Sequence, residues 1–280
     1  MEDNIKNLIR QGQEAQNRGE LGNALEFFQR AKELAQKGGY ILLSSTCLDF
    51  IGIIYTVRAN YKEALTYFQQ SMQIKERTGD LLGQSRLFNK IGVVYHAWGK
   101  YSEAISYYNQ ALQMKKELRD LKGQSTLLNN IGNLYKLLGK YKEALDSLRK
   151  SLQIAKELSD LKGQVTILNN IGEIYRVLGK YEEAFDYYCQ SLRIAEETEN
   201  KQGQSTVLNN IGLVYYAWRK YEEALTYFHQ SLQMQEELGQ ETAQSVTLTN
   251  IGDAYRSLGK IKEAQIYSEK AIQKENELKS

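Results

Sequence analysis

Apolar residues recur along this chain in alternating helical stripes. Leu127, Leu128, Ile131, Leu134, Tyr135 and Leu138 follow the three-and-four spacing of an amphipathic helix. After a break at Leu138-Gly139-Lys140-Tyr141, the spacing resumes at Leu145, Leu148, Leu152 and Ala155. Two helices joined by a tight turn are therefore predicted, and the pattern returns every forty residues. Gly12, Gly52, Gly92, Gly132, Gly172, Gly212 and Gly252 keep that register, as do Ala24, Ala64, Ala104, Ala144, Ala184, Ala224 and Ala264. Seven copies of forty account for all 280 residues. The expected fold is all-α: a single array over residues 1–280 of seven helix-turn-helix units, each burying its apolar face against its neighbours.

Local chemistry refines this expectation. Gly19, Gly99, Gly139, Gly179 and Gly259 stand where the first helix of a unit must stop, while Ala59 and Arg219 at the same position suggest that a left-handed turn is not compulsory there. Asp80, Asp120, Asp160 and Asn200 are placed to cap the following first helix. The glycine inside each first helix costs about 1 kcal/mol relative to alanine, so its recurrence implies a close helix approach, with Ala144 and its equivalents as the expected facing residues. Tyr135 and its equivalents keep phase with Ile131 and are expected to pack. Trp98 and Trp218 end two first helices, where either packing or an exposed aromatic anchor is open.

Composition narrows the class further. The chain is 42% hydrophobic and 25% charged, with 21 Gly, 20 Tyr and no Pro, which describes a chain able to pack and not a Pro-rich linker. Thirty-six Lys and Arg against 34 Asp and Glu leave +2, which gives no reason to expect nucleic-acid or anionic-membrane binding. No stretch has the length and apolarity of a membrane span or signal peptide, so a cytoplasmic location is expected. Cys47 and Cys189 are too few for a disulfide framework and are expected to be small buried residues. His96 and His229 lie on different helices without a Cys pair, so no metal site is expected. With no phosphate loop, zincin or nucleophile-elbow motif, neither a cofactor nor enzymatic activity is expected.

The set Leu128, Ile131-Gly132, Tyr135, Gly139, Tyr141, Ala144 and Leu148 resembles the tetratricopeptide repeat over essentially the whole chain. The forty-residue period, Asp120-Leu121-Lys122-Gly123-Gln124 and the Leu128-Asn129-Asn130 element are similar to the LGN/Pins subclass and to kinesin light chains. The resemblance implies a superhelix whose first helices line a concave groove for an extended peptide. It places on that groove Asn89 with Lys90, Asn129 with Asn130, Asn169 with Asn170, Asn209 with Asn210, and Asn250. One turn further it places Asn133, Glu173 and Asp253, followed by His96, Lys136, Arg176, Tyr216 and Arg256. Asp49-Phe50 and Thr249 interrupt the paired asparagines.

A carboxamide carries both donors and an acceptor, so a ladder of them matches a peptide backbone. Lys136, Arg176 and Arg256 add possible charge-assisted bonds to acidic ligand groups. One Asn of each pair is equally suited to bonding the neighbouring unit. The expected function is a peptide-binding adaptor, with a self-associating scaffold and a sensory array for a short signalling peptide as alternatives. A protein or peptide partner is expected, without membrane insertion, and nothing in the pattern indicates a homo-oligomer.

Overall fold

The structure, a computed structural model, describes residues 1–277. Among them fourteen helices follow in order: α1 (Glu2–Asn17), α2 (Leu21–Lys37), α3 (Ile41–Val57), α4 (Tyr61–Arg77), α5 (Leu81–Ala97), α6 (Tyr101–Glu117) and α7 (Leu121–Leu137), then α8 (Tyr141–Glu157), α9 (Leu161–Val177), α10 (Tyr181–Glu197), α11 (Lys201–Ala217), α12 (Tyr221–Glu237), α13 (Glu241–Ser257) and α14 (Ile261–Glu277). They make an all-α solenoid of seven helix-turn-helix repeats, in the register set by the forty-residue period. The helices group into two compact units, Met1–Lys140 with α1–α7 and Tyr141–Ser280 with α8–α14.

Within each unit, each helix packs on the next one in sequence. The largest fully buried side chains include Phe28, Phe68 and Tyr108 in the first unit and Tyr188 and Phe228 in the second. These five rings explain the glycine inside five of the first helices. A Cβ on Gly92 would lie 2.5 Å from the Tyr108 ring, on Gly172 2.9 Å from Tyr188, and on Gly212 2.5 Å from Phe228. Gly12 and Gly52 meet Phe28 and Phe68 in the same way. The expectation that Ala144 and its equivalents face the glycine is thus corrected in these five copies, where an aromatic ring sixteen residues after the glycine fills the space. Gly252 differs, because residue 268 is serine and its Oγ stands 3.1 Å from the added Cβ position.

The turns also correct an expectation. Ala59 and Arg219 have φ of 58° and 63°, as left-handed as Gly19 at 79° and Gly179 at 73°. The backbone keeps its geometry and the non-glycine residue carries the strain, about 1–2 kcal/mol for an L-residue. Arg219→Gly is therefore expected to raise stability by about 0.5–1 kcal/mol after the larger entropy of the unfolded glycine is subtracted. A urea midpoint that stays still or falls would contradict that balance. The caps form as expected: Asp80, Asp120, Asp160 and Asn200 accept from the backbone N–H of Gly83, Gly123, Gly163 and Gly203 at 2.8, 2.8, 3.0 and 3.0 Å. A Cβ at Gly163 would stand 2.7 Å from the Asp160 carboxylate, which accounts for glycine at the fourth position of the motif.

Candidate groove between first helices

First helices are left with one face free of the apolar core, and clefts form along that face in both units. In the first unit a cleft of about 380 Å³ is lined by Arg86, Asn89 and Lys90 of α5, by Lys122 and Thr126 of α7, and by Lys115 of α6. In the second, a cleft of about 470 Å³ brings Asn169, Asn170 and Glu173 of α9 together with Thr206 and Asn210 of α11. Sequence reasoning missed Arg86, Lys122, Thr126, Lys162, Thr166, Gln202 and Thr206 in these linings. They precede the asparagines by one or two turns on the same helix face, so extending the three-and-four spacing backwards would have found them.

One of the paired asparagines, Asn209, closes a junction between repeats. In the second unit Asn250 Nδ2 donates to Asn209 Oδ1 at 3.0 Å, and Thr247 Oγ1 donates to the same oxygen at 3.3 Å. Beneath it, Gln235 Nε2 donates to Ser231 Oγ at 2.9 Å, and Ser231 donates to the Ser205 carbonyl at 2.7 Å. Residues in the same register in the first unit make a charged version. Lys90 Nζ contacts Asp49 Oδ2 at 2.9 Å, Lys75 Nζ lies 3.3 Å from that oxygen, and Ser71 Oγ donates to Asp49 Oδ1 at 2.6 Å. Lys75 also donates to Ser45 Oγ and, at 2.9 Å, to Ser71 Oγ. Asp49 and Lys90 thus take the places that Asn209 and Asn250 take later, and Lys90 is committed to a neighbouring repeat.

Between these junctions in sequence three amide oxygens lack a donor, as does Gln235 Oε1 within the uncharged junction. Asn89 Oδ1, Asn133 Oδ1 and Asn169 Oδ1 are buried atoms that receive no hydrogen bond. Asn129, Lys136 and Asn170 already have interaction partners, and Asn130 and Asn210 are half-buried. The positions expected to give selectivity are largely engaged. Arg256 is held by Asp253 at 2.6 Å, and the Tyr216 hydroxyl lies 3.2 Å from Ser257 Oγ. Arg176 bonds the hydroxyl of Tyr188, but burial dominates there and pushes the phenol well above its ordinary range. His96 is exposed and edge-on to Tyr101 at 6.0 Å.

Aromatic side chains tie five of the repeats together elsewhere. Tyr55, Tyr95, Tyr175, Tyr215 and Tyr255 stack on Tyr67, Tyr107, Tyr187, Tyr227 and Tyr267, with centroids 5.4, 5.2, 5.3, 5.3 and 5.4 Å apart. Trp98 and Trp218 are half-buried and pack on Tyr61 and Tyr181 of the preceding repeat at 5.6 and 6.0 Å. Burial lifts the Cys47 thiol to about 12, which makes it a poor nucleophile, and raises Cys189 as well. Among the described residues, no group of three or more His, Cys, Asp and Glu is arranged to hold a metal, and no helix is long and apolar enough to cross a membrane.

Comparison with known proteins adds to this geometry. Residues 44–117, 123–197 and 203–273 match a family model described as tetratricopeptide repeat. In fold the chain is similar to the signal transduction ATPase PH0952 from Pyrococcus horikoshii, a protein with a tetratricopeptide repeat sensor. The TM-score is 0.79 at 16% identity, over 99% of this chain and 42% of that one. It is similar to the apo form of RapI, with a TM-score of 0.76 at 15% identity over 98% of both chains. A third similar structure is the Rap conjugation gene regulator of plasmid pLS20 in complex with the Phr* peptide, at a TM-score of 0.62 and 17% identity, over 99% of this chain and 74% of that one. At these identities the likeness is one of fold. No curated protein sequence matches the chain.

Proposed function

Because the chain belongs to the tetratricopeptide repeat family, we propose that it is a non-enzymatic adaptor whose first-helix clefts hold an extended peptide segment of a partner protein. The observation that carries this reading is the set of buried acceptor oxygens without donors at Asn89, Asn133 and Asn169. A buried polar atom left unsatisfied costs about 1–3 kcal/mol, and a ligand N–H arriving there removes that cost. An extended peptide offers such donors at regular intervals. Thr126, Thr166 and Thr206, exposed on the same face, donate their hydroxyl protons to the carbonyls of Lys122, Lys162 and Gln202 and so supply further acceptors. The complex of the pLS20 regulator with a peptide supports the reading by likeness of fold. The forty-residue period and the Leu-Asn-Asn elements further favour a place beside the LGN/Pins and kinesin light chain subclasses.

The test uses a peptide selected on the wild-type chain from a displayed random library and titrated by fluorescence anisotropy. Asn89→Ala or Asn169→Ala is expected to weaken binding roughly tenfold, the equivalent of about 1.4 kcal/mol. Asn209→Ala, whose oxygen is already occupied by Asn250 and Thr247, should lower stability more than affinity. Unchanged affinity in both open-amide variants, with folded circular-dichroism spectra, would rule out this groove.

A further inference from the structure

A different cleft, of about 610 Å³, opens among α10, α11 and α12 of the second unit. Its apolar part is formed by Leu192, Leu208 and Met234 and by the stacked pair Tyr215 and Tyr227, whose planes are 8° apart. Glu196 of α10 and Glu223 of α12 add two exposed carboxylates to its lining. Neither carboxylate is engaged in an ion pair: the arginine of the next turn back, Arg193, is taken by Glu197 at 3.0 Å. The adjoining aromatic surface already accepts a cation, since Lys220 Nζ lies 3.7 Å from the Trp218 centroid and 5.9 Å from that of Tyr215.

A repeat protein places similar residues in every copy, so recurrence alone explains Glu223. Its equivalents Glu63, Glu103, Glu143 and Glu183 all stand in the first turn of a second helix, where acidic groups suit the macrodipole. Glu196 has no such explanation. One repeat earlier the same place holds Lys156, and Arg193 stands where the α12 copy has Gln233, so the α8–α10 copy carries its own cations. Three repeats before the α10–α12 copy the acidic set returns as Glu76, Glu103, Tyr95, Tyr107 and Met114, again beside a Trp98–Lys100 pair at 3.9 Å. Charge at these positions therefore varies between copies while the aromatic and apolar frame persists.

We infer that the α10–α12 cleft is a second docking site, separate from the first-helix clefts, which takes an arginine or lysine side chain from a basic segment of a partner polypeptide. Long basic side chains combine an apolar stem with a charged head. Leu192, Leu208 and Met234 match the stem, the two carboxylates match the head through charge-assisted bonds, and the tyrosine pair adds a ring face.

The probe is the peptide Gly-Arg-Gly-Arg-Gly bearing a photoreactive group, mixed with the full chain, with contacts mapped by mass spectrometry. Cross-links are expected on α10 and α12. Their yield should fall at least tenfold in the double variant Glu196→Gln, Glu223→Gln. It should hold in Glu182→Gln, Glu222→Gln, which removes the same charge outside the cleft, and in Asn169→Ala, which disables only the proposed peptide groove. Equal losses in the two double variants would reduce the effect to general surface charge and overturn the site, as would cross-links confined to other helices. Equal cross-linking by the same peptide with glutamate in place of arginine would overturn the ligand class. Matching thermal melts for the double variants exclude unfolding as the cause.

Discussion

Asp49→Asn is expected to destabilise the protein by about 3–5 kcal/mol, the cost of leaving a buried charge without its partner. The Lys75 side chain is 6% exposed and that of Asp49 12% exposed, so water cannot replace the carboxylate. Loss of that charge leaves Lys75 with only Ser45 and Ser71 and strands Lys90 as well. The same junction exists without charges where Asn209, Gln235 and Asn250 stand in register with Asp49, Lys75 and Lys90. The triple variant Asp49→Asn, Lys75→Gln, Lys90→Asn copies that arrangement and should recover most of the loss, since a buried ion network replaced as a unit is often near neutral. Urea unfolding of the single and triple variants measures this directly. A triple variant no more stable than the single one would mean that the three charges are not coupled.

This junction also shows what could be seen in one dimension. Helix number, turn positions and caps were legible because each depends on residues within a few positions of one another, as Asp120 does on Gly123. The asparagine pairs were legible as a recurring feature, and both possible roles were in view. Which role each takes was not, because it depends on a partner about forty-one residues away: Asn250 closes on Asn209, and Lys90 on Asp49. Asn169 keeps an open oxygen although Leu168-Asn169-Asn170 repeats Leu208-Asn209-Asn210. Lys122 and Lys162 were overlooked for another reason: they lie in a first helical turn, and the asparagines drew attention two turns later. The partner facing the helix-interior glycines was misjudged because alanine is the more regular residue, whereas the ring position varies, being leucine at 148 and serine at 268.

That change supplies an internal control for the second large effect. Gly212→Ala places a methyl group 2.5 Å from two carbons of Phe228, a ring with 0% exposure and no room to withdraw. Overpacking of this kind costs about 1–3 kcal/mol, and the fit here belongs at the upper end because the neighbour is a rigid ring. The gain in helix propensity, about 1 kcal/mol, opposes it and leaves a net loss of roughly 2 kcal/mol. Gly252→Ala makes the same backbone change against Ser268 Oγ at 3.1 Å and the Ala264 carbonyl at 3.4 Å. Rotating the serine hydroxyl away gives up its 2.9 Å hydrogen bond to the Ala264 carbonyl, about 1 kcal/mol, which balances the gain in propensity, and the variant should unfold within about 0.5 kcal/mol of the wild type. Urea midpoints for the two variants separate the contributions: propensity is common to both, and only the ring contact differs. If both variants shift alike, the aromatic ring is not what keeps residue 212 glycine. If Gly212→Ala alone loses stability and Phe228→Leu in that background restores part of it, the pairing of glycine with a ring sixteen residues later is what fixes the approach of the two helices in a repeat.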